Sequence, residues 1–188
     1  MKERLLLHSC CGPCSTSVIE RLIPTYKITL FYYNPCITDR EEYEKRKANQ
    51  IRFLILRNER AASEEDLVEF AEGTYEPEAY LSAVRGYENE PEGGLRCTIC
   101  FRQRLSKAAE YASRHGFPIY TTTLTVSSHK DYKRITAIGE EIAFLYEGLQ
   151  YLDMDFKKKD GFKRSVELSK EYGLYRQNFC GCEFSRRR

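Results

Sequence analysis

The chain has no long hydrophobic run. Leu5-Leu6-Leu7 is the whole apolar stretch between Arg4 and His8, too short for a secretory leader, and nothing elsewhere is long enough to span a membrane. The expected location is therefore the cytoplasm, with no membrane partner. Linkers rich in Pro, Gly or Ser are also missing, as are internal repeats and low-complexity tracts. Residues 1–188 are accordingly expected to form a single α/β domain with a cysteine-bearing C-terminal segment. A formal net charge of only +2 excludes a globally basic surface, so any contact with nucleic acid must be local. Local basic clusters do exist: Arg102 and Arg104 with Lys107, Lys130 to Arg134, Lys157 to Lys159, Lys163-Arg164, and Arg186 to Arg188.

Against these absences stand eight cysteines. In a compartment that keeps thiols reduced, tight groups of cysteine are metal ligands or redox groups more often than disulfides. Their placement depends on the elements around them. Arg4 to His8 reads as a buried strand ended by Gly12 and Pro13, and Ser15 to Leu22 as a helix that Ser15 or Thr16 would cap. Lys27 to Tyr33 is a second strand. Asp39 caps a charged helix over 40–50, and Arg52 to Leu56 is expected as a third strand. Ser63-Glu64-Glu65-Asp66 has capping-box character and is expected to open a helix through Phe70. An acidic loop holding a short helix follows over 73–94. A long helix is expected from Cys97 to Arg114, a fourth strand over 118–123, a polar loop over 125–129 and a helix over 131–146. A fifth strand over 149–154 and a short helix over 166–171 complete the pattern. Strands alternating with helices predict a doubly wound, mostly parallel, Rossmann-like sheet, whose ligand crevice lies beyond the carboxyl ends of the strands. Cys10 and Cys11 fall at such an end.

Cys97 and Cys100 form a C-x-x-C pair at a predicted helix start, where the thiolate is favoured over the thiol. Alone, that spacing is compatible with zinc, a cluster or a disulfide. Cys10-Cys11 is a rarer arrangement, because adjacent side chains diverge, but the Gly12-Pro13 turn offers a way for both sulfurs to face the crevice. Cys180-Gly181-Cys182 is a third pair, with Gly181 permitting a sharp bend. Core packing accounts for a single cysteine, but poorly for three pairs each beside turn residues. Six thiols exceed the four that a zinc site or a [4Fe–4S] cluster takes. The surplus pair would be a redox dithiol, the seat of a second metal ion or a source of catalytic thiols, and it favours chemistry over a closed structural zinc. Cys14 is a further candidate reactive thiol, whereas Cys36, alone in Asn34-Pro35-Cys36, is read as structural. His8 is a candidate proton donor beside the cysteine loop. His115 is expected at a helix C-terminus, and His129 in a loop at the crevice.

Taken together, several segments resemble the epoxyqueuosine reductase QueH family, in colinear order over almost the whole chain. They are His8-Ser9-Cys10-Cys11-Gly12-Pro13-Cys14-Ser15, Phe31 to Pro35, Glu42-Tyr43-x-x-Arg46 and Arg96-Cys97-x-x-Cys100. Thr122 to Leu124 with Ser128-x-Lys130, and Tyr175-Arg176-Gln177-x-x-Cys180-Gly181-Cys182, complete the set. The resemblance implies a fold like the adenine-nucleotide α-hydrolase group, with cysteines in place of a glycine-rich pyrophosphate loop. It also implies a cobalamin-independent, tRNA-modifying oxidoreductase that reduces epoxyqueuosine in tRNA to queuosine. Cluster ligands would be Cys10, Cys11, Cys97 and Cys100, holding [4Fe–4S], with Cys180 and Cys182 as a redox pair or the site of a second metal. Partners would be tRNA carrying epoxyqueuosine and an electron donor that the sequence does not identify. Arg102, Arg104, Lys130, Lys133, Arg134 and Arg164 are the expected phosphate contacts. One departure stands out: Cys36 occupies a position where asparagine is expected. The competing reading is a non-catalytic, zinc-bound RNA-binding module.

Overall fold

The computed structural model describes residues 1–185, so the basic cluster at 186–188 lies outside the described residues. Five strands form one sheet in the order β3-β2-β1-β4-β5, and every pairing is parallel. The strands are β1 (Glu3–Ser9), β2 (Tyr26–Tyr32), β3 (Glu69–Glu72), β4 (Ile119–Thr122) and β5 (Gln150–Tyr151). Helices α1 (Gly12–Leu22), α2 (Arg40–Asn58) and α3 (Pro77–Ala83) precede α4 (Leu95–Arg114), α5 (Tyr132–Ala143) and α6 (Gly161–Glu171). In β1, Leu5 and Leu7 join one buried cluster with Val18, Ile19 and Phe53, while Leu6 joins the other with Leu105, Ala108 and Ile135. Alternate side chains thus feed two cores, one on each face, as a helix-covered parallel sheet requires. The doubly wound α/β expectation holds. Among the described residues no helix is long and apolar enough to cross a membrane.

Three local expectations are overturned. Residues 52–56 are not a strand but the last turns of α2. Asp39 nucleates that helix by accepting from the Glu41 and Glu42 amides. Its buried residues Tyr43, Arg46, Gln50, Phe53 and Leu54 recur at helical spacing, while Ile55 is 56% exposed. The apolar run was one helical face plus an exposed residue. The true third strand is β3, whose first two residues, Glu69 and Phe70, fall at the end of the segment expected to be helical. There Ser63 donates its hydroxyl to Asp66 instead of capping, and only a single 3₁₀ turn forms over Glu64–Asp66. At the third point, α1 starts at Gly12 and not at Ser15: the Ser15 and Thr16 hydroxyls donate backward to the Gly12 and Pro13 carbonyls. A smaller difference follows β4, where Thr125 and Val126, expected in a polar loop, belong to a buried 3₁₀ turn over Thr123–Val126.

Because β1 leads to β2 and β3 on one side and the chain returns to β4 and β5 on the other, the direction of winding reverses between β1 and β4. The carboxyl ends of those two strands flank the crevice where such folds place their ligands. Cys10 and Thr123, each directly beyond one strand, meet there: the Cys10 amide donates to Thr123 Oγ1 over 3.3 Å.

Candidate thiol-lined active site

The first loop is held from below by buried polar groups. Ser9 donates to Gln50 Oε1 at 2.8 Å, Gln50 Nε2 donates to Ser15 Oγ at 2.9 Å, and Asn34 Nδ2 donates to the Ser9 carbonyl at 2.9 Å. Gly12 is needed for this closeness, since a Cβ there would lie 3.0 Å from Asn49 Nδ2 and 3.2 Å from the Asn49 carbonyl oxygen. So held, the adjacent thiols of Cys10 and Cys11 face one another at 3.8 Å. Cys14, one turn into α1, completes a trio whose sulfurs all lie within 4.8 Å of one another. That trio has the donor set for a soft metal ion.

The second wall comes from the far end of the chain. Arg46 on α2 donates to the Phe179 and Cys180 carbonyls at 3.2 and 3.0 Å, and pairs with Glu42 at 2.6 Å. Asn49 clasps Tyr175 through both of that residue's backbone groups, at 3.0 and 3.1 Å. Gln177 Nε2 then reaches Cys11 Sγ at 2.9 Å, which joins the C-terminal segment to the first loop. Gly181 turns the chain with φ +105°, a conformation disfavoured for other residues. Beyond it, Cys182 Sγ and the Tyr80 hydroxyl lie 3.0 Å apart.

The third wall is the start of α4. Cys97 and Cys100 sit in its first two turns and line a narrow recess together with Cys180, Cys182 and Lys130. This recess adjoins a larger cavity of about 760 Å³ lined by Cys10, Cys14, Arg104, Lys130, Gln177 and Cys180. The three sequence-predicted cysteine pairs therefore converge on one crevice, with Cys11 tucked just beneath it. All eight thiols are free.

Charge is unevenly shared among them. Hydrogen bonds from the Cys11 and Cys14 thiols hold Cys10 well below the usual thiol range, with Arg104 and Lys130 adding to the effect. The same bonds push Cys11 up to about 12 and Cys14 well above its ordinary value. Cys10 is thus the most acidic thiol of the trio, and the other two are its donors. Cys36, expected to be structural, is buried in the core, and its thiol also shares a hydrogen bond with Cys100, which draws Cys36 down to about 6. Cys97 does not gain from its place in the first turn of α4: burial raises it, outweighing the Gly93 amide that donates to its sulfur.

His8 is completely buried and fully engaged. Its Nε2 faces the Tyr33 carbonyl at 3.0 Å and its Nδ1 the Thr122 hydroxyl at 2.8 Å. A carbonyl can only accept, so Nε2 carries the proton and Thr122 donates to Nδ1. Burial and Arg104 depress it to about 3, leaving a neutral ring that bridges the ends of β1, β2 and β4. His115 caps α4, and His129 lies exposed on the cavity rim.

The predicted phosphate contacts scatter. Arg104 is buried beside Cys100, and Lys130 is half-buried on the cavity wall. Burial opposes the charge on Lys130, but Cys180, Cys10 and Cys14 outweigh it and hold the ammonium protonated. Arg102 is paired through both Nη atoms with Glu141, and Arg164 with Glu20. Arg134 donates to the Gly93 carbonyl and Thr98, and Lys133 projects to solvent from α5. The sequence reading assigned no role to Asn49, Gln50 or Tyr80, which build the site without themselves being reactive. Arg46 and Gln177 appeared only within motifs, and their function is visible only in what they hold.

Thiols gathered where a Rossmann-like sheet reverses its winding, three of them close enough to hold one metal ion, mark an α/β protein equipped for metal or thiol chemistry. Comparison with known proteins narrows the class. The model of the family described as epoxyqueuosine reductase QueH matches residues 5–188. The epoxyqueuosine reductase QueH of Haemophilus influenzae is 39% identical over 98% of this chain and 72% of its own length. That of Streptococcus pyogenes is 40% identical over 98% and 71%, and that of Thermotoga maritima 33% identical over 96% and 89%. The chain belongs to the epoxyqueuosine reductase QueH family, a family of enzymes.

Proposed function

We propose that this protein reduces the epoxide of epoxyqueuosine in tRNA to the alkene of queuosine, in the cytoplasm and without cobalamin. The observation that carries the reading is the convergence of Cys10, Cys97, Cys100 and Cys180 on one crevice with Cys14 and Lys130, within a chain of this family. Deoxygenation of an epoxide consumes two electrons and two protons and releases water. A Cys180/Cys182 dithiol passing to the disulfide releases that same number of each, so the pair balances one turnover and must then be reduced by an external donor.

The donor set fits an iron–sulfur cluster. It is rich in soft thiolates, and Arg104 Nε, buried and without a hydrogen-bond partner among the described residues, is available to a sulfide or thiolate. Cys10, Cys11, Cys97 and Cys100 would hold [4Fe–4S], leaving Cys180 and Cys182 as the working pair or as ligands of a second metal ion. When bound, such a cluster supplies electrons one at a time. The protein's part is to orient the substrate and manage protons. Lys130 stays cationic beside the thiols and offers its Nζ proton to an oxygen at the crevice, and Cys14, held well above the ordinary thiol range, keeps its proton beside the more acidic Cys10. His8, with both nitrogens engaged, serves to tie the strand ends together. On the RNA side, Phe162, Arg176, Asn178 and Phe179 line the outer part of the cavity, giving stacking and polar surface for a base turned out of its strand. Lys133 and the free face of α5 would meet phosphates.

Anaerobic reconstitution with iron and sulfide, then incubation with epoxyqueuosine tRNA and a reductant, tests the assignment. Nucleoside analysis is expected to show queuosine. Absence of queuosine from a fully loaded protein would sink it, and a colourless protein with stoichiometric zinc would restore the RNA-binding alternative.

A further inference from the structure

Arg46, Arg96 and Arg104 each lie about 2% exposed. The first two are answered by ordinary partners. Arg46 has the Glu42 carboxylate and two carbonyls, and Arg96, whose Nε is also unpartnered, has the carbonyls of Tyr87, Glu88 and Glu90. Arg104 has neither. Its Nη2 donates to the neutral Asn34 amide oxygen at 2.5 Å, its Nη1 lies 4.0 Å from Cys100 Sγ, and its Nε meets nothing. Glu92 borders the same cavity, but no carboxylate among the described residues comes within ion-pairing distance of Arg104. A guanidinium cannot shed its charge in a protein, and a buried charge needs a counter-charge. The groups around it are sulfurs: Cys100 at its tip with the Cys36 thiol beside it, and Cys10, Cys14 and Cys180 along the same cavity wall.

Resting on the cluster reading above, we infer that Arg104 is the built-in counter-ion of the thiolate-bound cluster and sets its reduction potential. The fixed positive charge, held by Asn34 and shielded from water, stabilises the more negative, reduced state over the oxidised one. Charge, hydrogen bonds to sulfur and burial are the means by which a protein moves such potentials, and Arg104 combines all three. Asn34 is the positioning residue, because it points the guanidinium at the sulfurs and contributes no charge of its own. The neighbouring Lys130 is less enclosed and faces the open cavity, so it serves the substrate side.

Redox titration of the reconstituted protein, followed by visible absorption and electron paramagnetic resonance, reads this out independently of turnover. Arg104→Gln is expected to shift the cluster potential to a more negative value at unchanged iron and sulfide content, and Arg104→Lys to retain most of the wild-type value. Asn34→Asp places a carboxylate on an intact guanidinium, though it also gives up the Nδ2 bond to the Ser9 carbonyl, so at unchanged iron and sulfide content it should shift the potential in the same direction as Arg104→Gln. It decides the matter if the glutamine variant fails to load. Potentials identical to wild type in a loaded Arg104→Gln or Asn34→Asp protein overturn the inference. A wild-type protein with no dithionite-bleachable cluster overturns instead the cluster reading on which it rests.

Discussion

Arg46 donates to the carbonyl of Cys180, 134 residues further along the chain, across 3.0 Å. The same guanidinium is paired with the Glu42 carboxylate at 2.6 Å, and both side chains are nearly inaccessible. Removing one partner leaves the other as an uncompensated buried charge. Arg46→Met is therefore expected to cost about 3–5 kcal/mol, measured by denaturant unfolding. Adding Glu42→Gln to it should recover part of that loss in a double-mutant cycle. Turnover should stay low in both, because the Phe179 and Cys180 carbonyls have lost their donor.

Gly181 makes a separate test of how the cysteine pair is aimed. A Cβ there would stand 2.8 Å from Ile37 and 2.9 Å from Arg46 Nη1, on a backbone at φ +105°. Gly181→Ala is expected to destabilise by roughly 1–3 kcal/mol and to reduce turnover, with circular dichroism at moderate temperature unchanged. Full activity in the alanine variant would show that the bend is dispensable.

The assignment of ligands separates Cys14 from Cys97. Both are near the sulfur-rich crevice, but only Cys97 belongs to the proposed ligand set. Cys97→Ala should lose most bound iron, whereas Cys14→Ala should keep it and slow turnover. The reverse pattern of iron contents would move the ligand role to the compact Cys10, Cys11 and Cys14 trio.

His8 links the fold to pH. Burial holds it at about 3, below the value of about 6.5 expected in the unfolded chain. The unfolded state therefore takes up the proton first. The stabilisation is complete above pH 6.5 or so and is lost as pH falls toward the folded value, with a slope of at most about 1.4 kcal/mol per pH unit. Comparing the metal-free wild type with His8→Gln by urea unfolding from pH 7 to pH 4 should show a shallower decline in the variant.

Much of the site is legible in the order of the residues alone. Cys10-Cys11, Cys97 with Cys100, and Cys180 with Cys182 each sit beside turn residues, and local spacing alone singled them out as more than core. Cys36, read as structural, is indeed buried in the core, but its bond to Cys100 was not legible. It is solitary in sequence, and its closeness to Cys100 depends on how the loop after β2 crosses the first turns of α4. The sheet shows the same contrast. β1, β2 and β4 carry their apolar residues in short buried runs, but Phe53 and Leu54 mimic such a run while belonging to the face of a helix. β3 is a four-residue edge strand with half its residues exposed, and its identity comes from pairing with Thr29 to Tyr32, which no local pattern encodes. The same holds for Arg104. Its sequence neighbours mark it as one more surface cation on a basic helix, and only the packed structure reveals it as a charge among sulfurs.

The clasp between α2 and residues 175–182 also dictates a timetable. Cys10, Cys11 and Cys14 leave the ribosome some 165 residues ahead of Gln177 and Cys180, which close over them. At ordinary elongation rates that interval is on the order of ten seconds or more. Throughout it the first loop is a nascent thiol cluster without its cover, so the sulfur chemistry of this protein has to be kept safe by the cell before the protein can protect it.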